Sequence, residues 1–141
     1  MTVRKATRSE IREWLKKDAQ MKKMISTGKA TMTLFAWDED DRRIGFLFAF
    51  YREIEAPLDG KTEWFVNVID VQESARRKGV ASALIQEMAA AARESNAVQI
   101  RAYCEIHNKT SHALWLKNGF GISPVKDAKG QIPGNFVTLR L

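Results

Sequence analysis

The chain has 141 residues, of which 45% are apolar and 28% charged, and a formal net charge of +6. That is one domain's worth of a soluble globular protein, 1–141, able to bury about two-thirds of the surface its unfolded form exposes. A single Cys104 excludes an internal disulfide, and the longest apolar run, from Gly45 to Tyr51, is far too short for a membrane span. With no apolar h-region between Met1 and Glu13, the expectation is a cytoplasmic protein with no membrane partner. The charge is uneven: residues 1–30 carry nine cations against three acids, and residues 31–141 carry fourteen of each. Such a segment either faces an acidic substrate or nucleic acid or is an ordinary solvated face.

Val3 to Ala6 can form a short strand, after which Thr7 and Glu10 have capping-box spacing. Ile11, Trp14, Leu15, Met21 and Ile25 then follow a helical stripe, broken at Asp18 and ended by Gly28. Two runs rich in β-branched and aromatic residues, Ala30–Trp37 and Arg43–Arg52, flank the acidic turn DEDDR and predict a hairpin. Past Pro57 and Gly60, EWFVNVIDV at Glu63–Val71 has the Val, Ile and Phe density of a strand buried on both faces. A helix follows with Ala81, Leu84, Ile85, Met88 and Ala92 on one side and Asn96 suited to end it. Ala97–Tyr103 then alternates as a strand, so strand, helix and strand form a βαβ crossover with parallel neighbours. Asn108 can cap another helix that stops at NGF, 118–120, and the tail offers a short strand from Gly121, a turn, and a terminal strand NFVTLRL. The total is about seven strands and three or four helices.

Residues 75–93 read ARRKGVASALIQEMAAAAR. Three cations at the mouth of a helix oppose its dipole, by roughly 0.3 to 1 kcal/mol per charge, unless an anion sits there. First-turn N–H groups lack intrahelical partners, so with the dipole and the cations they can seat a phosphate. The alternative is a solvated basic turn. Neither the two-glycine Lys-Ser/Thr loop of the nucleoside triphosphatases nor the three-glycine dinucleotide loop occurs.

Arg76-Arg77-Lys78-Gly79-Val80-Ala81 follows a strand and opens a helix, and thirty residues on comes NKTSHALWLKNGF. In these two stretches the chain resembles the GCN5-related N-acetyltransferase (GNAT) family. Its acyl-CoA loop has the form Gln or Arg, two residues, Gly, one residue, then Gly or Ala. Its second signature opens a helix with Asn and ends in Gly-Phe about a dozen residues on, as Asn108, Gly119 and Phe120 do. The match is clear over residues 64–120. The resemblance implies an α/β fold with a mixed, mostly antiparallel sheet and a central parallel splayed pair. It also implies acetyl-CoA as co-substrate, a small-molecule or protein amine as acceptor, and a monomer or homodimer. Backbone N–H groups from Arg77 through Gly79, Val80 and Ala81 to Ser82 would hold the CoA pyrophosphate, with Arg76, Arg77 and Lys78 adding charge. Pantetheine would pair with backbone near Ile69 and Val71, and Asn108, Ser111 and Trp115 would line the other side.

Acetyl transfer needs a neutral amine, an oxyanion site and a proton for the departing thiolate. Family members often use a Glu on the central strand as base, directly or through water, which points to Glu63; a Glu at a strand's edge is otherwise solvated or structural. Asn67, the uncharged polar residue inside that strand, can orient water or substrate, or simply satisfy backbone. Many members place a Tyr seven residues after the motif Asn as acid, where this chain has Trp115, whose indole cannot supply the proton. Tyr103 is the substitute on the neighbouring strand, unless the thiolate takes a proton from water. The missing Tyr leaves open a catalytically impaired CoA-binding module. Cys104, His107 and His112 offer three ligands without a second cluster, short of a zinc site, so no metal is expected. A nucleic-acid-binding domain has only residues 1–30 in its favour and no recognised reading motif.

Overall fold

A computed structural model describes residues 1–58 and 60–141. Seven strands, β1 (Thr2–Lys5), β2 (Thr31–Trp37), β3 (Arg43–Glu53), β4 (Thr62–Val71), β5 (Gln99–Glu105), β6 (Gly121–Val125) and β7 (Gly134–Arg140), form one sheet in the order β1-β2-β3-β4-β5-β7-β6. Three α-helices accompany them: α1 (Arg8–Lys17), α2 (Val80–Arg93) and α3 (Lys109–Lys117). The sheet is mixed, mostly antiparallel, with one parallel pair, β4 and β5, on either side of the crossover helix α2. That parallel ladder runs from Glu63↔Gln99 to Val66↔Ala102, whereas β4 continues to Val71 and β5 to Glu105. The expected parallel pair is present, with seven strands and three α-helices where about seven and three or four were expected.

The residues group into two compact units, Met1–Phe50 with Asn67–Met88, and Tyr51–Val66 with Ala89–Leu141. In the first, the capping box forms as the sequence predicts: Thr7 Oγ1 accepts from the Glu10 N–H while Glu10 accepts from the Thr7 N–H. The helix stops at Asp18, and a single 3₁₀ turn at Met21–Lys23 follows, so the apolar stripe is carried by two pieces. Ile11, Trp14 and Ile25 from these pieces pack on Phe35, Phe46 and Phe48 of the hairpin, with Met21 and Val68 at the margin. Trp14 meets Phe35 and Phe46 at centroid distances of 5.3 and 4.5 Å, in the edge and tilted geometries that aromatic quadrupoles favour. Gly45 permits the start of α2 to lie close, since a Cβ there would stand 3.1 Å from the Asp70 carbonyl and 3.2 Å from Val80.

In the second unit, Ile100, Ala102 and Cys104 turn the buried parity of β5 inward, and Trp115 packs edge-on to Phe120 at 4.8 Å. Two boundaries differ from the sequence expectation. Asn96 does not end α2, which closes at Arg93; the Ser95 hydroxyl instead donates to the Ala92 carbonyl and accepts from the Trp64 indole and the Ala97 N–H. Because Ala97 is held in that turn, β5 begins at Gln99, where its ladder with β4 starts, rather than at Ala97.

Candidate active site

The segment between β4 and α2 shows how its sequence bends. A 3₁₀ turn at Glu73–Ala75 leads into extended Arg76, after which Arg77 takes φ 61° and Gly79 φ 81°. An arginine in the left-handed region is disfavoured by roughly 1–2 kcal/mol, and such backbone persists where its surroundings demand it. φ is positive at Arg77 and Gly79 and not at Lys78 between them, and an alternation of sign can turn N–H groups toward one side, a concavity suited to an anion. The helix ladder begins with Ala83 N–H donating to the Gly79 carbonyl, so the Val80 and Ala81 N–H groups precede it and lie at the positive end of the α2 dipole. Gly79 is open, with nothing within 4 Å of a Cβ built on it.

The cations do not act alike. Arg76 folds back: its Nε donates to the Val71 carbonyl at 2.9 Å, and its Nη2 lies 3.6 Å from Asp70. Arg77 and Lys78 are exposed. Lys78 also borders a cavity of about 460 Å³ in the same unit, with Gln72, Ser74 and Arg42, but Asp38 and Glu39 share that lining, so its charge is mixed. Ile69 is half-buried and Val71 buried at the end of β4. Asn67 is exposed, and its Nδ2 donates to the Met24 carbonyl at 3.4 Å. Ala81 and Ser82 are half-buried in the first turn of α2.

In the second unit Glu63 is fully enclosed, with 0% exposure. Its Oε2 accepts from Arg52 Nε and Arg101 Nη2 and its Oε1 from Gln99 Nε2, each at 2.8 Å. Arg101 in turn grips Glu55 through both Nη atoms at 2.9 Å, and the Glu55 carboxyl is held at a pKa of about 2 chiefly by that bidentate contact. The two guanidinium groups stack on Phe136 and Phe65, at 4.4 and 4.1 Å from the ring centroids. A direct base must come within hydrogen-bond reach of the proton it removes. Glu63 has no open face for that, and its visible role is to anchor Arg101 and, through it, Glu55. Sequence reasoning missed Arg52, Glu55, Gln99 and Arg101; an arginine inside the β5 run was the only local hint.

Asn108 caps α3, its Oδ1 accepting from the Ser111 N–H at 3.0 Å, and Ser111 Oγ pairs with Cys104 Sγ at 3.2 Å. Burial pushes the Cys104 thiol up. Trp115 is 2% exposed, so its indole is part of the core. Tyr103 is exposed at 40% and meets Phe136 edge-on. His112 is half-buried: Nδ1 donates to the Asn108 carbonyl at 2.7 Å and Nε2 accepts from Asn135 Nδ2 at 2.9 Å, tying the start of α3 to β7. Among the described residues no three His, Cys, Asp or Glu side chains are grouped to hold a metal, and no helix is long and apolar enough to cross a membrane.

Comparison with known proteins agrees with this architecture. The sequence model of the acetyltransferase (GNAT) family matches residues 3–120. The uncharacterized N-acetyltransferase YdgE of Bacillus subtilis strain 168 is 26% identical over 125 residues, covering 82% of this chain and 77% of that protein. Among solved structures, the GNAT domain of S. lividans PAT has a TM-score of 0.76 at 17% identity, over 99% of this chain and 89% of that one. Arabidopsis thaliana NAA60 in complex with acetyl-CoA has a TM-score of 0.74 at 13% identity, over 99% and 98%. At these identities the solved structures show a shared fold. The chain belongs to the GNAT acetyltransferase family.

Proposed function

We propose that the protein transfers an acetyl group from acetyl-CoA to a primary amine, of a small molecule or a protein, directly within a ternary complex. The observation that carries this reading is the bend at Arg77 and Gly79, which presents consecutive N–H groups at the mouth of α2. The chemistry supports a diphosphate: N–H donors, a helix dipole and the Arg77 and Lys78 side chains are all of one sign. NAA60, the neighbour of like fold, is described with acetyl-CoA bound.

In this reading residues 77–82 hold the diphosphate, and pantetheine pairs with β4 backbone near Ile69 and Val71, past the end of the parallel ladder at Val66. Residues 1–141 serve in this reading as one acyltransferase domain. The amine nitrogen attacks the thioester carbonyl and gives up a proton to water oriented by Asn67, the C–N bond forms, the C–S bond breaks, and the oxyanion is met by N–H near Val71. Of the two β4 candidates, Asn67 is exposed and Glu63 is enclosed. Trp115 is enclosed and gives no proton, so the thiolate takes one from water.

Titration calorimetry with CoA, and with pantetheine lacking the diphosphate, tests the cofactor assignment: CoA should bind at least tenfold more tightly. Thiol release over a panel of amines then tests transfer. CoA binding without turnover on any amine would indicate a binding module.

A further inference from the structure

We propose that the cationic face formed by Arg8, Arg12, Lys16, Lys22 and Lys23 receives an acidic peptide, the amine-bearing acceptor of the transfer reaction. This rests on the acetyltransferase reading of the same unit and names the substrate class that it leaves open.

Arg8, Arg12 and Lys16 stand at i, i+4 and i+8 on one flank of α1, where like charges are neighbours and repel. All five cations are exposed, and none has an ion pair among the described residues. Lys16 lies in the last turn of α1, where a cation complements the helix dipole, but Arg8 lies in the first turn, where it opposes it. Glu10, the acid in the first turn of α1, is engaged by Arg4 at 2.9 Å and by its own capping box, and no acid stands three or four residues after Arg8. The helix therefore keeps an uncompensated stripe that its own stability does not call for.

The stripe does not end with α1. Met21 and Ile25 pack on the core of the first unit, which turns Lys22 and Lys23 outward on the 3₁₀ turn. The next residue, Met24, gives its carbonyl to Asn67 of β4. The positive surface thus runs up to the strand along which the acyl group is proposed to lie. A protonated amine alone would be repelled from such a surface; an amine whose chain carries Asp and Glu would be drawn to it. Nucleic acid fits less well, because the aromatic side chains beside the stripe, Trp14, Phe35 and Phe46, are buried and give bases nothing to stack on.

The test is fluorescence anisotropy with two labelled peptides that share a free N-terminal amine, one continuing in Asp and Glu, the other in Asn and Gln. The acidic peptide should bind about tenfold more tightly or better, and the ratio should shrink between about 50 and about 200 mM salt. The triple variant Arg12→Gln, Lys16→Gln, Lys22→Gln, checked for an unchanged melting temperature, should lose most of that preference while its CoA affinity stays within about twofold. Equal affinity for the two peptides, or a preference that survives the triple variant, overturns the proposal. So does tighter binding of double-stranded DNA than of the acidic peptide at the higher salt. Loss of CoA binding in the unsubstituted protein would instead sink the acetyltransferase reading, with the peptide ratio still deciding the character of the face.

Discussion

Glu63 is the position where a catalytic and a structural role predict opposite outcomes. Glu63→Gln keeps the volume but removes the negative charge, leaving Arg52 and Arg101 facing a neutral amide inside a fully enclosed site. Breaking a buried ion pair from one side costs roughly 3 to 5 kcal/mol, because the remaining charge is left uncompensated. Arg52 is 37% exposed and can regain water, and Arg101 keeps its two bonds to Glu55, so the loss belongs at the lower end, about 3 kcal/mol. For a chain of this size that corresponds to a melting temperature lower by roughly 10 °C. A general base behaves otherwise: its amide variant loses on the order of 10²- to 10⁴-fold in kcat with little change in melting. Calorimetric melting and steady-state turnover, the latter well below the variant's transition, separate the two. The anchoring role predicts a large fall in Tm and kcat within about tenfold of the parent. An unchanged Tm with kcat down by more than about a hundredfold would refute it and return Glu63 to the reacting amine.

Arg77→Gly should leave Tm nearly unchanged in a thermal melt, because relief of the left-handed strain is offset by the extra freedom of the unfolded chain, each about 1 kcal/mol, while CoA binds several-fold more weakly. Glu10 and Glu55 both have folded pKa values depressed to about 2, so the stability they confer is fully present above their ordinary value of 4.5 and is lost as pH falls through about 2. Acid denaturation followed by circular dichroism should accordingly be shallower between those values in Glu55→Gln than in the parent. Cys104, buried with its thiol pushed up, should react with an aromatic disulfide reagent only as fast as the protein unfolds, and mild urea should accelerate the reaction.

How much of this could be read from the chain follows from how far each contact reaches. The capping box at Thr7 and Glu10, the Asn108 cap and the hairpin around DEDDR use partners within a few residues, and all form as the spacing predicts. The bend proposed to seat a phosphate is equally local, since Arg77 and Gly79 are two positions apart; only the left-handed conformation of Arg77 had no signal, because nothing in an arginine requests it. The end of α2 was misread for the opposite reason. Asn96 is the residue that ordinarily stops a helix, but Ser95 gains a bond from Trp64, thirty-one positions away, which no local pattern records.

The same distance dependence limits what could be said about catalysis. Glu63 and Asn67 are four residues apart on β4 and therefore project to the same face of the sheet, so the sequence gives no ground to prefer one. What separates them is the ladder. Glu63 is opposite Gln99 at the start of the parallel pairing and is sealed by side chains 11, 36 and 38 positions away, whereas Asn67 lies one residue past Val66, where that pairing stops. A backbone that has lost its strand partner can take a ligand in its place, and one still paired cannot. Asn67 to Val71 is therefore the stretch of β4 beyond the ladder with β5, and Glu63 lies where the two strands are still paired.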